Sequence, residues 1–118
     1  MLADTRALLA DYGLDDTPVQ ELEEVLALLR AYGHHQRITL DLGLGRGLHY
    51  YTGVLFEVYA GESAGRAAGV QLGGGGRYDD LAQPLGARAP LPACGFACGV
   101  ERIANALVAR GAAVPEPP

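Results

Sequence analysis

Four consecutive glycines, Gly73 to Gly76, follow the short β-favouring stretch Val70-Gln-Leu72 and run directly into Arg77-Tyr-Asp-Asp80. An ordinary strand avoids such a run, because each glycine gives up a packing side chain and costs backbone entropy. The run makes sense where a ligand or another backbone must pass close by. Two more glycine-rich segments flank it, Asp41-Leu-Gly-Leu-Gly-Arg-Gly-Leu-His-Tyr-Tyr-Thr-Gly53 and Pro92-Ala-Cys-Gly-Phe-Ala-Cys-Gly-Val-Glu-Arg-Ile103. Each of the three joins glycines to an arginine, and the first two add tyrosines. Arginine brings a forked, permanently charged donor. A tyrosine hydroxyl both donates and accepts. Together these are the parts of a pocket for a polar ligand.

Composition narrows the classes. The chain has 118 residues and a formal net charge of −5, and all nine of its basic residues are arginine. That length suits one small domain or a piece of a larger one. An acidic, lysine-free surface argues against a general nucleic-acid binder, and a Walker phosphate loop is excluded because its lysine is missing. The two cysteines, Cys94 and Cys98, are spaced to share one face of a strand roughly 13 Å apart, too far for a disulfide. Two thiols are too few for zinc without distant histidines, so no metal site is expected. They read as small core residues of a chain in a reducing compartment. With no signal pattern and no apolar run of membrane length, the chain is expected to be cytoplasmic, without a membrane partner.

Periodicity predicts a helix over residues 2–12 and a second from Thr17 to about Tyr32-Gly33. In the second, Thr17 caps, Pro18 takes the first turn and Gln20 reaches back. Leu22, Val25, Leu26, Leu28 and Leu29 form its apolar stripe. Strands are predicted over Arg37–Leu42, Val54–Tyr59, Val70–Leu72 and Cys94–Val100, the last buried. A loop is expected from Ala60 to Gly69, a brief helix from Tyr78 to Gln83 stopped by Pro84, and a closing helix from Arg102 to Arg110. Strands do not alternate regularly with long helices, so the predicted class is α+β, an antiparallel sheet flanked by helices. The whole chain, 1–118, reads as a single partial domain: a helical segment 1–33, a sheet and motif-bearing segment 37–110 and a tail 111–118. Few strands leave open edges, which points to a partner.

Gly43-Leu-Gly-Arg-Gly47 resembles a dinucleotide fingerprint, but the third glycine is missing and no long helix follows. Arg46, between two glycines, is poorly shielded and accessible to an anion. Tyr50 and Tyr51, if on a strand, point to opposite faces. His49 could be a base or a ligand, although a lone histidine more often has a structural place; His34 and His35 receive no role. Asp79 and Asp80 read first as acids at a helix start. Arg102 sits in the first turn of the last helix beside Gly99, a poor place for a cation unless both face a phosphate or carboxylate.

Taken together, the motifs resemble the histidyl-tRNA synthetase family. Arg46-Gly-Leu-His-Tyr-Tyr-Thr-Gly53 with Phe56-Glu57 is similar to its histidine-specific first motif. Gly75-Gly-Arg-Tyr-Asp79 is similar to the second, and Gly95-Phe-Ala-Cys-Gly-Val-Glu-Arg102 to motif 3 of class II synthetases. The resemblance implies part of a class II aminoacyl-tRNA synthetase-like catalytic core, namely its second half, without the motif 1 helix or motif 2. Two kinds of protein share the pattern: the synthetase, and the catalytically silent regulatory subunit of ATP phosphoribosyltransferase in histidine biosynthesis. Four glycines before Arg77, Asp80 where synthetases usually carry glycine, and the Asp41-Leu-Gly-Leu approach to Arg46 look more like the regulator.

The resemblance therefore implies a histidine-sensing protein without chemistry of its own. Its partners would be L-histidine, the catalytic subunit of the transferase, and either further copies or the rest of the core. No cofactor is expected. The alternative is a fragment of a synthetase, with ATP, magnesium and tRNA. By resemblance, Arg46, Tyr50, Tyr51, Gly75, Gly76 and Tyr78 bind histidine. Arg46 would meet its carboxylate, and in a synthetase the α-phosphate as well. Gly99 and Arg102 keep a vestigial phosphate position. The family's usual residue before the paired tyrosines is aspartate; here it is His49, which alters amino-group recognition.

Overall fold

The computed structural model describes residues 2–34, 38–45, 47, 49–61 and 69–113. Two helices, α1 (Leu2–Asp11) and α2 (Thr17–Ala31), precede the strands β1 (Leu55–Ala60), β2 (Val70–Arg77) and β3 (Cys94–Cys98), and α3 (Val100–Ala109) closes the order. The strands form one antiparallel sheet with β2 in the centre. The α+β class and the antiparallel sheet are as expected.

The start of α2 follows a local electrostatic logic. Pro18 stands in the first turn, where its missing N–H costs nothing. The cap is Asp16 rather than Thr17. Asp15 explains the shift, because its carboxylate accepts from the Thr17 amide at 3.1 Å and from the Thr17 hydroxyl at 2.8 Å. Those two bonds, the amide first, hold the Asp15 carboxyl below its ordinary 3.8. Gln20 does reach back, to the Asp16 carboxylate at 2.8 Å. At the far end Gly33 adopts a φ of 78°, and the amide of His34 returns to the Leu29 carbonyl at 2.8 Å, a glycine-closed helix end. Arg6 of α1 ties the helices together through Asp16 at 3.1 Å and Glu23 at 3.0 Å. Those pairs are exposed and stabilise little. Val19, 5% exposed, is the one buried apolar residue among those described.

In the sheet, β1 starts one residue later than expected. The larger difference is β2, which does not stop at Leu72 but continues through all four glycines to Arg77. Its glycines pair on both sides, with Leu55 to Val58 of β1 and Gly95 to Cys98 of β3. Close approach explains the composition. A Cβ on Gly73 would stand 2.9 Å from the Cys98 Cβ, and one on Gly75 would overlap the Gly95 carbonyl and stand 2.7 Å from the Phe96 Cβ. A register shift between Val58 and Tyr59 bulges the ladder opposite Leu72.

Two expected elements are absent from the described residues. Ile38 to Leu42 joins no strand: the Asp41 side chain accepts from the Gly43 amide at 2.9 Å and its carbonyl from the Leu44 amide at 3.3 Å, which turns the chain. Arg37 lies outside the described residues. Tyr78 to Gln83 forms successive turns rather than a helix, because Asp79 directs its amide to the Thr52 hydroxyl and its carbonyl to the Leu91 amide, both at 2.9 Å. The predicted burial of the last strand is also wrong. Cys94 and Cys98 are exposed, as are Phe96 at 76%, Val58 at 47% and Phe56 at 41%. By strand alternation these five share one face of the sheet, and the described elements leave that face open. Residues 62–68 of the expected loop, residues 114–118 of the tail and His35 lie outside the described residues.

Candidate functional site

The site is built where the segment before β1 zips onto the end of β2. The Thr52 amide donates to the Arg77 carbonyl at 2.9 Å and the Arg77 amide to the Val54 carbonyl at 3.0 Å. Gly53 permits the crossing, since a Cβ there would stand 3.1 Å from the Arg77 Cδ. Asp79 latches the junction from the other side. Its carboxylate accepts from the Arg77 Nε at 2.8 Å and from the Ala93 amide at 3.1 Å. Arg77 also lies 3.8 Å from Glu21 of α2, which ties the helix to the sheet. Asp79 is thus a structural staple rather than an acid at a helix start.

This junction gathers three tyrosines. The ring centroids of Tyr50 and Tyr51 are 4.5 Å apart, those of Tyr50 and Tyr78 5.8 Å, and those of Tyr51 and Tyr78 6.3 Å. All three distances lie in the range of favourable aromatic contact. Tyr50 and Tyr51 therefore do not point to opposite faces as predicted. They follow a turn rather than lying in a strand, so strand alternation does not apply to them. The Tyr50 and Tyr51 hydroxyls are 3.5 Å apart, a long hydrogen bond.

The trio rests on glycines. A Cβ on Gly76 would stand 2.8 Å from the Tyr51 ring, and one on Gly95 would collide with the Tyr78 hydroxyl. Part of the glycine signature is therefore explained by the protein's own tyrosines. Gly75 belongs to the other face, against Phe96. Further along the tyrosine face, Glu57 accepts from the Tyr59 hydroxyl at 2.6 Å and from the Gln71 side chain at 2.9 Å.

Beside the trio lies an opening of about 410 Å³ lined by His49, Tyr50, Thr52, Asp80, Leu81 and Pro84. Arg46 lies outside the described residues. Gly99 and Arg102 come together at the start of α3, where the Gly99 amide donates to the Leu72 carbonyl at 2.8 Å and the Arg102 guanidinium to the Gln71 carbonyl at 3.0 Å. Among the described residues no group of three or more histidine, cysteine or acidic side chains is placed to hold a metal. No helix among them is long and apolar enough to cross a membrane. Thr52, Gly95 and Glu57 were given no role from sequence; of these, Glu57 was accessible, since alternation along β1 puts it on the same face as the Gly76 row.

The fold and the three motifs together define part of a class II synthetase-like core. The histidyl-tRNA synthetase family model matches residues 1–103, and the chain belongs to that family. Its relatives are of two kinds. It is 46% identical over 110 residues to the histidine–tRNA ligase of Prosthecochloris aestuarii, covering 93% of this chain and 25% of the relative. It is 43% identical over 93 residues to that of Thermococcus kodakarensis, covering 79% and 20%. It is also 43% identical over 99 residues to the ATP phosphoribosyltransferase regulatory subunit of Desulforamulus reducens, covering 84% and 23%. The chain spans about a fifth to a quarter of the length of these relatives.

Proposed function

We propose that this chain carries the histidine-recognising face of an ATP phosphoribosyltransferase regulatory subunit, which senses histidine in the cytoplasm without chemistry of its own. The observation that carries the reading is the tyrosine trio seated on Gly76 and Gly95. A neutral imidazole has one donor and one acceptor nitrogen, and the hydroxyls of Tyr51 and Tyr78 match both. Tyr50 completes the aromatic wall, the backbone of Gly75 and Gly76 supplies the floor, and Arg46 is the proposed partner of the ligand carboxylate.

Sensing requires only that histidine bind one state of the complex better than another. A silent role is supported by the engagement of Gly99 and Arg102 with carbonyls of β2, which leaves their phosphate position vestigial. The open apolar face around Phe96 suits contact with the rest of a core, with further copies or with the catalytic subunit. The second reading is a histidine–tRNA ligase, favoured by ligase relatives at comparable identity and coverage. In that case Arg46 also meets the α-phosphate, and ATP, magnesium and tRNA enter.

The test mixes the protein with the catalytic subunit of the transferase and follows phosphoribosyl transfer against histidine concentration. Histidine-dependent inhibition weakened by Tyr51→Phe, with no histidine-dependent ATP–pyrophosphate exchange by the protein alone, is expected. Exchange activity would instead establish the ligase.

A further inference from the structure

The adjacent acids Asp79 and Asp80 stand in different surroundings. The Asp79 carboxylate is taken up by the Arg77 Nε at 2.8 Å and the Ala93 amide at 3.1 Å. The Asp80 carboxylate has no hydrogen-bond or ion-pair partner among the described residues, and it lines the opening of about 410 Å³ beside the tyrosines. The turn that carries it is held, because the Asp79 amide donates to the Thr52 hydroxyl at 2.9 Å and the Asp80 carbonyl accepts from the Gln83 amide at 3.3 Å. The lining divides by chemistry. Tyr50, Leu81 and Pro84 make an apolar wall, whereas His49, Thr52 and Asp80 are polar, and Asp80 is the one carboxylate among the lining residues. An apolar wall with a few polar groups, at this volume, is the make-up of a small-molecule site.

Tyr50 joins the opening to the trio. Its ring borders the opening, and its hydroxyl stands 3.5 Å from that of Tyr51. A ligand whose imidazole meets Tyr51 and Tyr78 can pass its other end beside Tyr50 into the opening. We propose that Asp80 receives the ammonium group of the bound amino acid there and makes the site select an amine-bearing imidazole over one without the amine. The Tyr50 ring is a second, weaker partner for that cation. The proposal rests on the histidine reading above. It also joins two departures from the synthetase pattern, His49 in place of the usual aspartate and Asp80 in place of the usual glycine, because both line this one opening. The carboxylate missing from the turn before Tyr50 returns on the turn after β2. Glu57 does not compete, since Tyr59 and Gln71 hold it and it does not line the opening.

The test is calorimetric titration of the chain and of its Asp80→Asn variant with L-histidine and with imidazolepropionate, which keeps ring and carboxylate but lacks the amine. The unmodified chain should prefer histidine about fivefold, the yield of an ion pair that stays partly in solvent. Asp80→Asn should erase that preference. Imidazolepropionate should bind the variant at least as tightly, because its carboxylate no longer faces an anion, and that binding shows that the variant is folded. Adding His49→Asp to Asp80→Asn should restore part of the preference by returning a carboxylate to the opening.

If Asp80 served only its turn, Asp80→Asn would weaken both ligands equally, and the proposal would fail. It would also fail if the variant kept the preference. Equal binding of the two ligands by the unmodified chain would overturn the proposal while leaving ring recognition in place. Binding of neither would overturn the histidine reading itself and this proposal with it.

Discussion

On one side of the sheet Tyr51 lies on Gly76, Tyr78 on Gly95, and Glu57 is held by two donors. On the other side Phe96 is 76% exposed and two cysteines face outward. The same strand, β2, supplies both faces. The glycine run serves each differently: Gly76 gives room to an aromatic ring, whereas Gly73 and Gly75 let β3 approach closely. The tyrosine face has partners within the described residues. Among the described residues nothing covers the phenylalanine face, and such exposed apolar surface adds little to stability. In the proposed reading, recognition falls on the tyrosine side of the sheet and assembly on the other.

The largest expected effect separates the two kinds of glycine. Gly75→Ala forces a methyl group against the backbone of β3, which cannot swing aside, and urea denaturation should register a loss of about 3 kcal/mol. Gly76→Ala meets the Val54 carbonyl and the Tyr51 ring, both at 2.8 Å. The ring can move, so stability should fall by a smaller amount, about 1–2 kcal/mol, with histidine affinity falling alongside. If Gly76→Ala left affinity intact, the division between the faces would break.

Next comes the junction. Asp79→Ala removes acceptors for Arg77 and for the Ala93 amide, and thermal melting should show a loss of about 2 kcal/mol. Phe96→Ser sharpens the contrast from the other side. It should change stability by no more than about 0.5 kcal/mol, while lowering self-association in sedimentation and the binding of an apolar dye.

The smallest effect concerns acid. The Asp15 carboxyl is held below its ordinary 3.8 by the Thr17 amide and hydroxyl, so its contribution is present above that value and lost as pH falls through the lower, folded-state value. An Asp15→Asn variant should lack that acid-dependent step in its helical dichroism.

Much of the fold was legible because periodicity and punctuation act locally. Gly33 at a positive φ and Pro18 in the first turn place α2 almost where its sequence says. The failures have one cause in common, that a long-range partner decides the outcome. Thr52 and Leu91 take the backbone groups Asp79 would have given to a helix. The Cys94–Cys98 strand looked like core because its residues are small and apolar, but burial depends on a covering layer that its composition does not specify. The tyrosines and glycines that meet at the candidate site were legible as residue types, but not their arrangement. That Tyr50 and Tyr51 converge rather than diverge followed from a turn that strand alternation could not anticipate.

The division of faces can be tested by aromatic carbon-13 NMR of the chain, with tyrosine and phenylalanine rings labelled, during titration with L-histidine. The account predicts saturable shifts at the Tyr51 and Tyr78 rings while Phe56 and Phe96 stay still. Shifts centred on the phenylalanines, or no shift at any ring under high histidine concentration, would contradict it.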